Sequence, residues 1–324
     1  MKKLFTIITV AALVILSGCG KQGAQSSKEK TLRVGVALPS ADHGWTGGVV
    51  WWAEKCAKEL MAEDDSLKIT VVTSKDAGEQ VNQIENLVVQ GIDALVLLPH
   101  EPGPLTKICE DVASKHIFLT VVDRNLDRPV QSLSVVGDNP GFGRACGAEL
   151  VKQLNGKGDI LIMEGIPCQV NTDRVEAFKA EIAKAPGIKI LDSQPAYWDT
   201  EKALKLMENF LQKHSKIDAV WTGDDDVLIG ALKAYEESGR KDVKLFIGGG
   251  GSKTIIKKVL DKDPLVPLDV TYPPSMIAVG IKNTILTVRQ PASEVLHEEK
   301  LVVVPADVIV PENAQQFYFP DSVY

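Results

Sequence analysis

The chain has 324 residues, 44% of them hydrophobic and 24% charged, the proportions of a globular protein that folds in water. At roughly 150 residues per domain it has room for two domains, each with its own core. Its 36 basic residues stand against 43 acidic ones, a net charge of −7 with no basic tract, which argues against a nucleic-acid partner.

The first residues read Met1-Lys2-Lys3, then an apolar run from Leu4 to Leu16, then Leu16-Ser17-Gly18-Cys19. Two lysines, a short apolar core and small residues describe a secretory signal peptide. The run is shorter than the ~20 apolar residues that span a bilayer. A cysteine directly after Leu-Ser-Gly resembles the lipobox of bacterial lipoproteins, which implies cleavage before Cys19 and acylation of that cysteine. The expected layout starts with a signal peptide over 1–18 and a lipidated flexible tether over 19–30, where Gly, Gln, Ser and Lys predominate. The expected location is extracytoplasmic, held to the membrane through the N-terminal lipid only. With no steady supply of ATP or NAD there, no cofactor is expected.

Beyond the tether, strand-like and helical periods alternate. Thr31–Leu38 reads as a strand and Trp45–Met61 as a helix; Ile69–Thr73 is a strand, and Val81, Ile84, Leu87 and Val88 recur at helical spacing. Ala94–Leu98, Ile117–Val122 and Leu133–Val136 are strands, with a helix over Leu105–Ser114. The alternation then restarts: strands at Asp159–Met163, Ile188–Leu191, Ala219–Thr222, Leu245–Ile247 and Val266–Val270 are separated by helices at Arg174–Ala183, Glu201–Leu211, Leu228–Glu237 and Lys253–Leu260. Two rounds of this alternation predict an α/β fold of two Rossmann-like lobes, each a parallel sheet covered by helices. Cys56, Cys109 and Cys146 fall in helices and read as buried thiols, and no cysteine pair has metal-ligand spacing.

In open α/β sheets, ligands sit beyond the carboxyl ends of the strands. Those ends here carry Asp42, His43 and Trp45; Asp123 and Arg124; Arg174 at a helix start; Trp198; Asp224 in an Asp224-Asp-Asp226 run; and Tyr272. Among them only His43 has the chemistry of a general base, and a lone histidine in a polar loop is more often a ligand contact. Carboxylates accept from hydroxyl pairs, guanidinium forks donate to them, and aromatic rings cover C–H faces, so the set suits a sugar. Each has an ordinary alternative: Asp123 and Arg124 as a surface ion pair, Trp198 as a core aromatic, the aspartates as a helix cap and first turn. Asp225 or Asp226 is expected to cap the helix, leaving Asp224 to face the cleft.

Taken in order, Val34-Gly-Val-Ala-Leu-Pro-Ser-Ala-Asp-His-Gly-Trp45, Val121-Val-Asp-Arg124, Gly137-Asp-Asn139, Arg174-Val-Glu-Ala-Phe178, Ser193-Gln-Pro-Ala196 and Ala219-Val-Trp-Thr-Gly-Asp-Asp225 resemble the ribose-type periplasmic sugar-binding proteins of ABC importers. The resemblance runs from Thr31 to about Val310. It implies the type I periplasmic binding protein fold, with a three-segment hinge near 137–139, 272–274 and 305–307. The lobes would comprise 31–137 plus 273–305 and 138–272 plus 306–324. It also implies a monomer without catalytic activity that binds a monosaccharide or polyol through His43, Trp45, Asp123, Arg124, Arg174, Trp198 and Asp224, to which strand-end position adds Asp42 and Tyr272, and passes it to an ABC permease. The same fold can instead present a sugar or furanose signal to a chemoreceptor or sensor kinase. Two positions depart from the ribose-type pattern. Gly250 stands where that family often has Asp, and Tyr272 where it usually has Gln or Asn, which leaves the identity of the sugar open.

Two glycine runs echo other functions. Gly248-Gly-Gly-Gly-Ser-Lys253-Thr254 approaches a phosphate-binding loop, but Ser252 stands where the motif has Gly. Gly141-Phe-Gly143-Arg-Ala-Cys-Gly147 weakly echoes a dinucleotide fingerprint, and helix packing by Gly143 and Gly147 is the better reading. A signal peptide in place of a helix-turn-helix excludes the related repressor effector domains.

Overall fold

The computed structural model describes residues 30–41, 44–290 and 300–324. From Thr31 onward the chain forms one compact unit. It opens with β1 (Leu32–Pro39), α1 (Gly44–Glu63), β2 (Leu67–Ser74), α2 (Ala77–Val89), β3 (Ala94–Leu97), α3 (Pro102–Ser114), β4 (Phe118–Val122) and β5 (Leu133–Gly137). There follow α4 (Asn139–Gln153), β6 (Lys157–Glu164), α5 (Gln169–Ile182), β7 (Gly187–Pro195), α6 (Thr200–Lys213), β8 (Ala219–Trp221), α7 (Asp225–Ser238), β9 (Leu245–Ile247) and α8 (Lys253–Leu260). Last come β10 (Asp269–Val270), α9 (Met276–Val288), β11 (Lys300–Val304) and β12 (Val308–Ile309).

Two parallel sheets result, in the orders β11-β5-β4-β3-β1-β2 and β7-β6-β8-β9, so the protein has two α/β lobes. Strands covered by helices on both faces lose the polar alternation of a half-exposed sheet and read as continuous apolar runs. In the first lobe Val34, Val36, Val96 and Leu98 face α1 and α9, while Ala37, Leu95, Leu97 and Val121 face α2 and α3. In the second, Ile160, Ile162 and Trp221 pack under α4 and α5, with Leu161, Val220 and Phe246 on the other side under α6, α7 and α8. The chain leaves the first sheet after β5, returns through α9 and β11, and leaves again to pair β12 antiparallel with β10.

Element boundaries differ from the sequence reading where polar groups rather than periodicity decide. The expected strand over 266–270 shrinks to the two residues of β10, because Pro264 and Pro267 lack donors and Val266 N–H turns back to Asp263 O at 3.1 Å. The fifth helix starts at Gln169, five residues before Arg174. The expected cap is also corrected: Asp224 itself caps α7, accepting from Asp226 N at 2.8 Å and Val227 N at 3.2 Å. Asp225 is wholly buried instead, because both of its oxygens are engaged by the Gly248–Gly251 loop and Ser252. Cys56, Cys109 and Cys146 are buried free thiols, and Cys168 is exposed.

The packing reading of the glycine pair holds. A Cβ on Gly143 would stand 2.2 Å from Arg174 O, and one on Gly147 would stand 2.7 Å from Glu181 Cβ, so only bare backbone lets α4 lie this close to α5. Under this pair the Phe178 and Trp221 rings stack 3.9 Å apart at 8°. Trp221→Ala is expected to lower stability by about 3–5 kcal/mol, read from urea midpoints, because it opens a cavity in a closed core.

Candidate functional site

Seven residues expected at the site, Trp45, Asp123, Arg124, Arg174, Trp198, Asp224 and Tyr272, line one cavity of about 930 Å³ between the lobes. Asp42 and His43 lie outside the described residues, as does Cys19.

The centre is Arg174, on the second turn of α5 and only 4% exposed. Its Nε donates to Asn139 Oδ1 at 2.9 Å and one terminal nitrogen donates to Gly223 O at 2.9 Å. Its Cζ lies over the Tyr272 ring at 4.1 Å and over the Phe142 ring at 4.6 Å. Aromatic faces attract a desolvated cation, and the bonds fix the fork's orientation. Gly137 leaves the space for this: a Cβ there would fall 2.1 Å from Tyr272 Cε2.

Tyr272 ties the site together. Its hydroxyl donates to Asp123 Oδ1, Asn139 Nδ2 approaches that hydroxyl at 3.4 Å, and its carbonyl accepts from Trp45 Nε1 at 2.9 Å. Burial first, then the neighbouring Asp123 charge, push the phenol upward, so it stays a donor. Asp123 adopts the left-handed conformation (φ 65°) just past β4, which turns the chain sharply out of the strand. Arg124 donates to the carbonyls of Pro99 at 3.3 Å and His100 at 3.2 Å, and its Nε lies 3.9 Å from Asp123. Tyr197 and Trp198 are both left-handed (φ 62° and 55°), a tight turn that lays the indole over Gly165 and 5.9 Å from the Arg174 guanidinium.

Asp224 is 7% exposed and combines the capping role with a place in the cavity wall. Burial, then the Asp226 and Asp225 charges, raise its carboxyl to about 8; burial raises Asp225 to about 6. The loop that echoed a phosphate site is answered here. Gly249 N and Ser252 N donate to Asp225 at 2.8 and 2.7 Å, and Gly251 N donates to Asp269 at 3.2 Å, so carboxylates occupy the donors an anion would use. Sequence reading placed Asn139 only at a chain crossing. Its side chain instead orients Arg174, and the signal was Asn followed by Pro140 in the first turn of α4. His100, Glu101, Asp127, Gln169 and Asp173 are among the further lining residues. Among the described residues no cluster of three metal-ligating side chains occurs, and no helix is long and apolar enough to cross a membrane.

The sequence pattern of the periplasmic binding protein domain matches residues 34–281. The chain belongs to the periplasmic binding protein family. Proteins of this family are extracytoplasmic, which fixes the compartment at that level. The ribose import binding protein of Bacillus subtilis is 26% identical over 309 residues, covering 93% of this chain and 95% of that protein. The galactofuranose-binding protein of Escherichia coli is 25% identical over 315 residues, covering 94% and 96%. The crystal structure of a galactofuranose binding protein superposes with a TM-score of 0.75 at 24% identity, covering 90% of this periplasmic binding protein and all of that chain, a likeness of fold.

The raised carboxyls make stability depend on pH. Unfolded, Asp224 and Asp225 titrate near 3.8; folded, they hold protons up to about 8 and about 6. The folded state binds more protons across this window, so stability falls as pH rises through it. The urea midpoint is expected to be higher near pH ~5 than near pH ~8, and Asp224→Asn should flatten that dependence.

Proposed function

We propose that this periplasmic binding protein is a lipid-anchored receptor without catalytic activity that closes on a monosaccharide or related polyol and delivers it to the permease of an ABC importer. The observation that carries the reading is the Arg174 guanidinium, held 4.1 Å from the Tyr272 ring centroid and bonded to Asn139 and Gly223 O, beside the carboxylate that Tyr272 orients. Fixed forks and carboxylates discriminate hydroxyl stereochemistry because every unmatched donor or acceptor in a closed cleft loses its water without replacement. Trp45 and Trp198 supply apolar surface for C–H faces. The relatives named for ribose and galactofuranose support a sugar-sized ligand.

Contacts come from both lobes: Asp123 and Arg124 from the end of β4, Arg174 and Asp224 from α5 and the start of α7. A ligand touching both favours the closed form through its differential affinity for it. The three chain crossings, after β5, before α9 and after β11, serve as the hinge. Cys19 carries the lipid, 19–30 forms the tether, and Asp42 and His43, next to Gly44 in the sequence, join the ligand contacts. The protein acts as a monomer.

A thermal-shift screen against pentoses, hexoses, deoxy-sugars, polyols and furanoses tests this. A true ligand at thousandfold excess over its Kd adds about 4 kcal/mol of stability. A shift only with amino acids or nucleotides would refute the sugar reading. With the hit in hand, Arg174→Ala is expected to cost about 2–5 kcal/mol of binding, a loss of roughly 30-fold or more in Kd by isothermal titration.

A further inference from the structure

Behind the cleft, the segment after β12 runs back across both lobes. Phe319 sets its ring edge-on to Trp52 of α1, with centroids 4.9 Å apart at 83°. Lys253, at the start of α8 in the second lobe, donates to Ser322 O. Tyr324 then turns inward and is 6% exposed. One side of it lies on the first turns of α1, where a Cβ on Gly48 would stand 2.9 Å from Tyr324 Cβ and one on Gly44 would stand 3.0 Å from Cδ2. Its other end meets the second lobe, where a Cβ on Gly250 would come within 2.1 Å of the hydroxyl. Gly250 has φ 139°, a conformation side chains rarely adopt, and it lines the ligand cavity on its opposite side. Three glycines on two lobes therefore make a slot for one ring.

The hydroxyl has no hydrogen-bond partner among the described residues, although four second-lobe aspartates act on it electrostatically. A buried hydroxyl without a partner costs stability rather than adding to it, so the ring's shape is what the slot uses. Gly48 also abuts Pro274 at the second crossing, a Cβ there standing 2.9 Å from Pro274 Cγ. Helix and cavity wall thus meet on the same side chain, and Gly48 of that helix also meets the hinge. Close-packed contacts of this kind hold one discrete arrangement rather than yield gradually.

We propose that Tyr324 is an interlobe wedge: its ring, seated between Gly44 and Gly48 of α1 and Gly250 of the cavity wall, limits how far the lobes separate when no ligand joins them. Losing the ring removes the packing that links α1 to the Gly248–Gly251 loop, and the lobes separate more widely. Tyr324 acts through Gly250 and α1, not by touching ligand.

The test is a pulsed electron-spin distance measurement on the full chain without added sugar. Labels go on Glu85→Cys in α2 and Lys205→Cys in α6, both exposed, with Cys168→Ser removing the exposed thiol among the described residues and Cys19→Ser the one outside them. The reference protein is expected to give the distance distribution of the ligand-free receptor, and Tyr324→Phe the same. Tyr324→Ala should add a population at longer distance. Gly48→Ala should do likewise, since its methyl collides with the Tyr324 ring's own Cβ, and it carries the test if Tyr324→Ala fails to fold. An unchanged distribution in folded Tyr324→Ala overturns the proposal, as does a Tyr324→Phe distribution as broad as that of Tyr324→Ala. No sugar enters the measurement, so its outcome is separate from that of the ligand screen.

Discussion

The site depends on the burial of one positive charge. Arg174 is taken from water, and a buried guanidinium is tolerated only where bonds and fixed dipoles replace its hydration. Asn139 Oδ1, Gly223 O and the faces of Tyr272 and Phe142 provide them. They come from three places in the chain, so satisfying the charge brings the start of α4, the end of β8 and the crossing after β10 together. The glycines are the steric counterpart of that requirement: Gly143 lets α4 approach the Arg174 backbone, and Gly137 leaves room for the Tyr272 ring.

The same economy of charge shapes the second lobe's cleft edge. Asp224, Asp225 and Asp269 are buried close together with no basic residue bonded to them among the described residues, and backbone N–H groups of α7 and the Gly248–Gly251 loop answer them instead. Loop amides spent on internal carboxylates cannot bind an anion, which turns a phosphate-like sequence into structural stitching. These carboxyls retain protons well above their ordinary range because burial disfavours the charged form.

The strand and helix order was legible because doubly covered parallel strands leave apolar runs and amphipathic helices leave their period in the sequence, whatever the distant contacts. The gathering of Trp45, Asp123, Arg124, Arg174, Trp198, Asp224 and Tyr272 around one cavity followed from the rule that strand ends face one side. Cap assignment among three adjacent aspartates was not legible, since any of them suits a helix start. Asp225 was drawn inward by donors of a loop more than twenty residues away.

The sequence by itself determined the two-lobed α/β architecture, the family and the residue types at the cleft, because these rest on local period and on the order of motifs. Only the tertiary structure decided that Asn139 orients Arg174, that Tyr272 links Asp123 to the second crossing, and that Tyr324 fills the space beside Gly250. Those are contacts between residues 35, 149 and about 70 positions apart. No local pattern records them, because a side chain's partner across such a distance is chosen by the packing of whole elements.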